Sequence, residues 1–425
     1  MVGKIKLIEM KCIGIIASFM AFCSLASCGT QRKSTVSPTD GEVHETVSRA
    51  EGGIRATGSK PEEVNDAVAQ SEARRDFSHK LFSQALLSAR ESENVVLSPY
   101  SAGVALSMLA DGAAGKTREE IVAALSHAPY AGDSLYSDSV YNVASANSIW
   151  YREGFEIRDS YADRLKKDYG AGIFGRDFSS RSAVADINRW CADNTAGKIP
   201  EIVDNIDPDM MMFLLNALYF KASWEYAFDP VRNTEDVFHA PSGDSKVTFM
   251  HLSENLPCGE AEGFSYVVLP YRDGRYMMTV CLPEEGTDLV KAVNAVSPSK
   301  LASAIAMADG RDVQLSLPKF KVNTTHILNG ILSDLGMKEA FGGKADFSGM
   351  TDSNVAVDEV KQKCFVEVNE EGSEAAAVTS IGIRMTSLRP DEEPFVMKVD
   401  RPFVFLITSD EGEVLFAGRI ASIEK

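Results

Sequence analysis

The chain contains no CxxC pair. Its cysteines beyond the N-terminal region, Cys191, Cys258, Cys281 and Cys364, stand far apart. Zinc and dithiol redox sites therefore have weak support. Four buried free thiols are expected, although an oxidising compartment would allow one disulfide. Histidine is scarce. His44, His79, His127, His239, His251 and His326 complete the set, and none has HExxH or another ligand spacing. No GxSxG elbow occurs, and no feature points to a triad assembled from distant residues. An enzyme is not expected. The run Gly112-Ala113-Ala114-Gly115-Lys116-Thr117 hints at a phosphate loop, but Ala110 stands where that pattern needs its first glycine. Positive charge is the minority sign: 43 Lys and Arg against 61 Asp and Glu leave a net charge of -18. Nucleic acids and other polyanions would be repelled. The longest apolar run, Cys12 to Ala26, is too short for a stable membrane span.

That run has another reading. Lys4, Lys6 and Lys11 precede it, so residues 1–27 read as a signal peptide. Leu25-Ala26-Ser27-Cys28 resembles a bacterial lipobox, which implies lipidation of Cys28. A plain secretory signal with an incidental cysteine is the other reading. Acyl chains on Cys28 would together anchor the chain stably. Gly29 follows rather than Asp, which in the familiar sorting pattern favours the outer membrane. Residues 28–64 are rich in Ser, Thr, Gly, Pro and charge, and too poor in large apolar groups to order themselves. They read as a flexible tether. The expected location is a bacterial cell envelope, with the membrane touched through the lipid alone.

The remainder is ample for a large core, since 44% of the chain is hydrophobic. Length alone would suggest two or three domains. Phe77, Leu81, Phe82, Ala85, Leu86 and Ala89 recur at helical spacing. Ala102 to Ala110 is apolar at the same period, with Ser98 placed near its start, where hydroxyls satisfy free amides. Tyr276 to Leu282 and Phe403 to Ile407 read as strands. Such a mixture of helices and mostly antiparallel strands gives an α+β class.

From Val366 to Pro390 the residues run VEVNEEGSEAAAVTSIGIRMTSLRP. Taken alternately, Ser373, Ala375, Ala377, Thr379, Ile381, Ile383 and Met385 form one set, small at first and then apolar. Glu374, Ala376, Val378, Ser380, Gly382 and Arg384 form the other. A strand sends the two sets to opposite faces, and the first suits a buried face. Yet the flanks, Glu370-Glu371-Gly372 and Arg389-Pro390-Asp391-Glu392-Glu393-Pro394, are charged and loop-like. The segment is able to be a strand while standing in an exposed loop. An ordinary strand ending in a loop is the plainer reading of the pattern alone.

Residues Glu370 to Ala377, EEGSEAAA, resemble the hinge of the serpins, a family that offers a reactive loop to proteases as bait. The resemblance extends through Asn94-Val95-Val96-Leu97-Ser98-Pro99-Tyr100-Ser101, Ala146-Asn147-Ser148-Ile149-Trp150 and Asn216-Ala217-Leu218-Tyr219-Phe220-Lys221. It continues with Leu317-Pro318-Lys319-Phe320, Arg401-Pro402-Phe403-Val404-Phe405-Leu406 and Val414-Leu415-Phe416-Ala417-Gly418-Arg419-Ile420, in the family's order. It implies one domain over residues 65–425, with a reactive loop at 370–395. The fold implied is α+β: a large mixed central sheet, further sheets and several helices, about eight or nine in the family.

The function implied is protease inhibition by a suicide-substrate route. The protease is trapped as an acyl complex while the cut loop inserts into the central sheet. Serine proteases are the expected partners, held covalently, with cysteine proteases open to the same chemistry. No cofactor is implied, and the chain is expected to be a monomer. The alternative is a non-inhibitory serpin-like binding protein. Glu370, Gly372, Ser373, Glu374, Ala375, Ala376 and Ala377 would form the hinge. Counting as in the family puts the reactive bond at Thr386-Ser387. The span to Pro402 is longer than usual, so bonds after Arg384, Met385 or Leu388 are alternatives. Ser98, Ser101, Asn216, Trp224 and Gln362 would form the cluster that governs sheet opening. Two positions depart from the family. Ala222 replaces a usual Gly, and Gln362 replaces the usual His. An amide has both donor and acceptor, so Gln362 can stand in for a neutral imidazole. It does not titrate near neutral pH, so no pH gating is expected at that point.

Overall fold

Met212 to Phe220 are all buried, as a strand covered on both faces must be. This is the middle of the central sheet. The computed structural model describes residues 61–131, 135, 141–373 and 393–424. Contacts divide the chain into two units, Met1–Asp66 and Ala67–Lys425. Of the first, only the opening residues of helix α1 (Pro61–Ser88) are described. Every strand among the described residues belongs to the second.

In chain order these strands begin with β1 (Val95–Leu97), β2 (Tyr141–Arg152), β3 (Gly172–Arg176), β4 (Met212–Ser223) and β5 (Thr234–Ala240). Next come β6 (Gly243–Ala261), β7 (Phe264–Pro270), β8 (Tyr276–Pro283), β9 (Gly310–Pro318) and β10 (Phe320–Ile327). The last are β11 (Glu359–Val368), β12 (Gly372–Ser373), β13 (Phe395–Lys398), β14 (Phe403–Ser409) and β15 (Val414–Ile420). The central sheet has the order β10-β11-β12-β4-β2-β3, and β11 also pairs directly with β4. The other sheet runs β1-β15-β14-β8-β7-β6-β9-β13, with β5 paired to β6. Pairing is antiparallel except for β2 with β3, β4 with β11, and β9 with β13.

Eight α-helices are present among the described residues. Helix α2 (Pro99–Gly112) is buried along nearly its whole length and contacts β15 of one sheet and β2 and β4 of the other. Its start is the one the sequence suggests. Ser98 is the N-cap, its side chain accepting from the Ser101 amide, and Pro99 begins the helix. Helix α3 (Gly115–Ala124) comes after a turn at the would-be phosphate run, where the Ala114 amide donates to the Asp346 carbonyl. Helix α4 (Asp159–Tyr169) precedes β3, and helix α5 (Arg181–Asn194) packs Ile187 and Cys191 against Phe213, Leu215 and Phe365 of the central sheet. The opposite face of that sheet buries Leu218, Phe220 and Val366 with Phe403, Phe405 and Phe416 of the second sheet. Both faces of β4 are thus dry, which explains its continuous apolar run, whereas β11 buries only part of its length and keeps Lys361, Lys363 and Glu367 partly exposed. Cys191, Cys258, Cys281 and Cys364 are free and buried. Burial pushes the Cys191 and Cys281 thiols up to about 12.

Candidate functional site

The hinge does not begin in solvent. Strand β11 ends at Val368, and Asn369 turns the chain by accepting the Glu371 amide (3.0 Å) and the Gly372 amide (3.3 Å) on its side-chain oxygen. The chain then returns as β12, wedged between β11 and β4. Ser373 is opposite Val368 on one side and Ala222 on the other. The expectation that all of 370–395 stands in an exposed loop is wrong for Glu370, Gly372 and Ser373, which are buried. For Gly372 and Ser373 the reason is main-chain pairing with β4, and of Ser373 with the adjacent β11, together with side chains small enough to allow it; for Glu370 it is the pairing of its carboxylate with Lys319 and Asn233. A Cβ on Gly372 would lie 2.0 Å from the Ala222 carbonyl oxygen, so only glycine permits this approach.

Each buried group of the hinge has a partner. Ser373 Oγ shares a 2.6 Å hydrogen bond with Tyr271 Oη, and both residues are buried. The Tyr271 ring stacks on Trp224, with centroids 4.5 Å apart and planes at 11°. Trp224 donates its indole N–H to the Asn369 carbonyl (2.9 Å) and its amide to the Glu371 carbonyl (2.9 Å). Glu370 accepts from Lys319 Nζ (2.9 Å) and from the Asn233 side-chain amide (2.5 Å). Burial alone would raise the Glu370 carboxyl. The Asn233 and Lys319 contacts together outweigh it and hold that carboxyl below the usual carboxylate range.

Farther along the same two strands lies a buried amide and hydroxyl network. The pairing of β4 with β11 sets Asn216 opposite Gln362. Gln362 accepts from the Ser98 amide on Oε1 (2.9 Å). Its Nε2 donates to the Ser98 carbonyl (2.9 Å) and to Asn216 Oδ1 (2.7 Å). Asn216 Nδ2 donates to the Ser101 carbonyl (2.9 Å), to Ser101 Oγ and to Asn147 Oδ1 (2.5 Å). Gln362 is fully buried and uses both ends of its amide. The structure thus brings Ser98, Ser101, Asn216 and Gln362 together. Trp224 does not join them: it lies just beyond the far end of β4 and serves the hinge instead.

Sequence reasoning missed Tyr271, Asn369, Asn233 and the partnership of Lys319 with Glu370. Lys319 and Asn147 lay inside motifs already noticed, but Tyr271 carried no signal. Glu374, Ala375, Ala376, Ala377, Arg384, Met385, Thr386, Ser387 and Leu388 lie outside the described residues, as does Cys28.

A family model for "Serpin (serine protease inhibitor)" matches residues 72–423. The chain belongs to the serpin family. An uncharacterized serpin-like protein of Thermococcus kodakarensis is 33% identical over 349 residues, covering 78% of this chain and 81% of its own. Iripin-8 of the tick Ixodes ricinus is 33% identical over 365 residues, covering 79% and 90%. Among solved structures, the thermophilic serpin tengpin in its native state matches with TM-score 0.77 and 32% identity, over 87% of this chain and 96% of that one. Human thyroxine-binding globulin, complexed with its hormone, shares the fold at TM-score 0.75 and 24% identity, over 84% of this chain and all of its own. The molecule has the serpin fold, with eight α-helices among the described residues and a large mixed sheet. Serpins are generally inhibitors of proteases rather than catalysts, although the thyroxine-binding member shows that the fold also serves other ends.

Proposed function

We propose that this serpin inhibits serine proteases, and cysteine proteases of like acyl chemistry, as a suicide substrate. The protease nucleophile attacks a carbonyl in the loop, at Thr386-Ser387 or a neighbouring bond, and an acyl-enzyme forms as the new amine departs. Water would ordinarily complete the cleavage. Instead the freed loop inserts between β4 and β11 and carries the protease with it. About fifteen residues at roughly 3.3 Å each amount to a displacement on the order of 50 Å. The observation that supports this most is β12. Gly372 and Ser373 already pair with β4, and Ser373 with β11 as well, the two strands between which a longer insertion would run. The set beyond Ser373 in sequence, Ala375 and Ala377 and then Thr379, Ile381 and Ile383, offers little polarity to desolvate and apolar area to bury.

The test is incubation with subtilisin-like, elastase-like and trypsin-like proteases. A band stable in SDS, sized as the sum of inhibitor and protease, is the expected result, and mass spectrometry of the released peptide locates the bond. Loop cleavage with full recovery of protease activity would overturn the reading in favour of a non-inhibitory binding protein.

The envelope location belongs to the same proposal. The lipobox-like Leu25-Ala26-Ser27-Cys28, with Gly29 next, supports anchoring of Cys28 in an outer membrane. Labelled palmitate should enter the wild-type chain and not Cys28→Ala, which should be released to the soluble fraction. Equal labelling of both would refute it.

A further inference from the structure

Ser373 is the first hinge side chain that the central sheet takes in, and a hydroxyl is costly to bury alone. Its partner is not on a neighbouring strand of that sheet. Tyr271 comes directly after β7 of the other sheet, and its amide donates to the Tyr276 carbonyl (3.0 Å). Its ring is held on one side by stacking with Trp224 and approached edge-on by Phe220 at 5.0 Å and 68°. The ring therefore cannot swing away, and its hydroxyl is aimed at Ser373 Oγ from 2.6 Å. Burial keeps the phenol protonated at any ordinary pH, so it always has a proton to share.

We propose that Tyr271 is a positioning residue for loop insertion: its hydroxyl satisfies Ser373 Oγ, so the hinge is seated in the sheet before any cleavage. The seating concerns the intact protein and needs no protease. Its kinetic consequence rests on the inhibitory reading above. With Ser373 in place, insertion proceeds from a seated strand end rather than from a free loop, and trapping gains on hydrolysis of the acyl-enzyme.

The test is a double-mutant cycle in the full chain, using Tyr271→Phe, Ser373→Ala and the pair together. Phe keeps the stacked ring, and Ala is accepted at any extended position. Hydrogen exchange of the amides in residues 369–373 of the uncleaved protein is read first. Each single variant leaves one hydroxyl unpaired while the hinge is seated. Exchange should quicken on the order of tenfold, the scale of one lost buried hydroxyl bond. The double variant leaves no orphan and should return to within about threefold of wild type. The number of inhibitor molecules consumed per protease trapped should follow the same order. Unchanged exchange in Tyr271→Phe, or single effects that merely add in the pair, would overturn the proposal. A coupled exchange cycle in a protein that traps no protease would uphold the seating and overturn the inhibitory reading alone.

Discussion

Replacing Gln362 by Met tests the amide network that ties β4, β11 and α2 together. Met conserves volume, so no cavity confuses the result. The Ser98 carbonyl still accepts the Ala102 amide at 3.0 Å. The Ser98 amide loses its acceptor and Asn216 Oδ1 its donor, and both residues are buried. At about 1–3 kcal/mol for each orphaned group, the native state loses about 2–6 kcal/mol. A domain of roughly 350 residues melts with an entropy near 0.7 kcal/mol per kelvin, so the midpoint should fall by roughly 3–8 °C. Circular dichroism at one fixed scan rate is the assay, because the trapped native state proposed above would unfold at a rate rather than at equilibrium. The loop-cleaved form provides a second arm. A strand inserted between β4 and β11 moves Gln362 about 5 Å farther from Asn216 and breaks their bond in the wild type as well. There the substitution should cost about half as much. A midpoint within about 1 °C of wild type in the uncleaved form would refute the ledger of orphaned groups. Equal penalties in both forms would refute the claim that this bond opposes opening.

Gly372→Ala should unseat the hinge, since the added Cβ meets the Ala222 carbonyl oxygen at 2.0 Å and no rotamer relieves it. Overlap of that kind costs on the order of 1–3 kcal/mol, and unchanged amide protection over residues 369–373 would count against it. His326 stands in register with Gln362 across β10 and β11, and its Nε2 is buried without a hydrogen-bond partner. Burial depresses its pKa against the opposing Val96 backbone bond and Glu93 carboxylate, so the folded state favours the neutral ring. The stability it contributes is present above the unfolded pKa, near 6.5, and lost as pH falls through the lower folded value. Melting of the wild type should therefore decline below about pH 6.5, and His326→Gln should flatten that decline. Identical profiles would remove His326 from the account. Cleavage of the loop by any protease should raise the melting temperature, and matching melts of nicked and intact protein would mean that no strained native state exists.

Elements built from local rules were legible. The helix opened by Ser98 and Pro99 and the strands β8 and β14 all arise from caps and residue patterns along a few positions. What escaped was the set of contacts made across long stretches of chain. Tyr271 and Ser373 are 102 residues apart, and Lys319 and Glu370 are 51 apart. No local pattern announces such pairs. Glu370 illustrates the difficulty well. Two glutamates before a glycine read as a solvated turn, yet the first is buried because Lys319 and Asn233 meet its carboxylate. Trp224 was grouped with Gln362 by family likeness, whereas Gln362 lies on β11 opposite Asn216 and Trp224 comes just after the other end of β4, at a different level of the sheet.

Strands β4 and β11 pair in parallel through six residues, from Phe213 opposite Glu359 to Leu218 opposite Cys364. Strand β12 is antiparallel to both. Parallel pairing is slightly the less stable per residue, so extending β12 replaces one weaker interface with two stronger ones. Those six pairs, with Gln362 and Asn216 among them, must part first. The wedge and the clamp are separate devices. Ala222, opposite Ser373, lies six residues beyond Asn216 on β4, about 20 Å at strand spacing. Seating the hinge therefore leaves the clamp closed, and under the proposed insertion the clamp would open as a later step. Tyr271→Phe should alter hinge exchange with little change in melting, and Gln362→Met should do the reverse. Sites that far apart with no shared partner add to within about 0.5 kcal/mol, so the double variant should show both effects unchanged. A coupling well above that would mean that hinge and clamp move as one body, and the two-step order would be wrong.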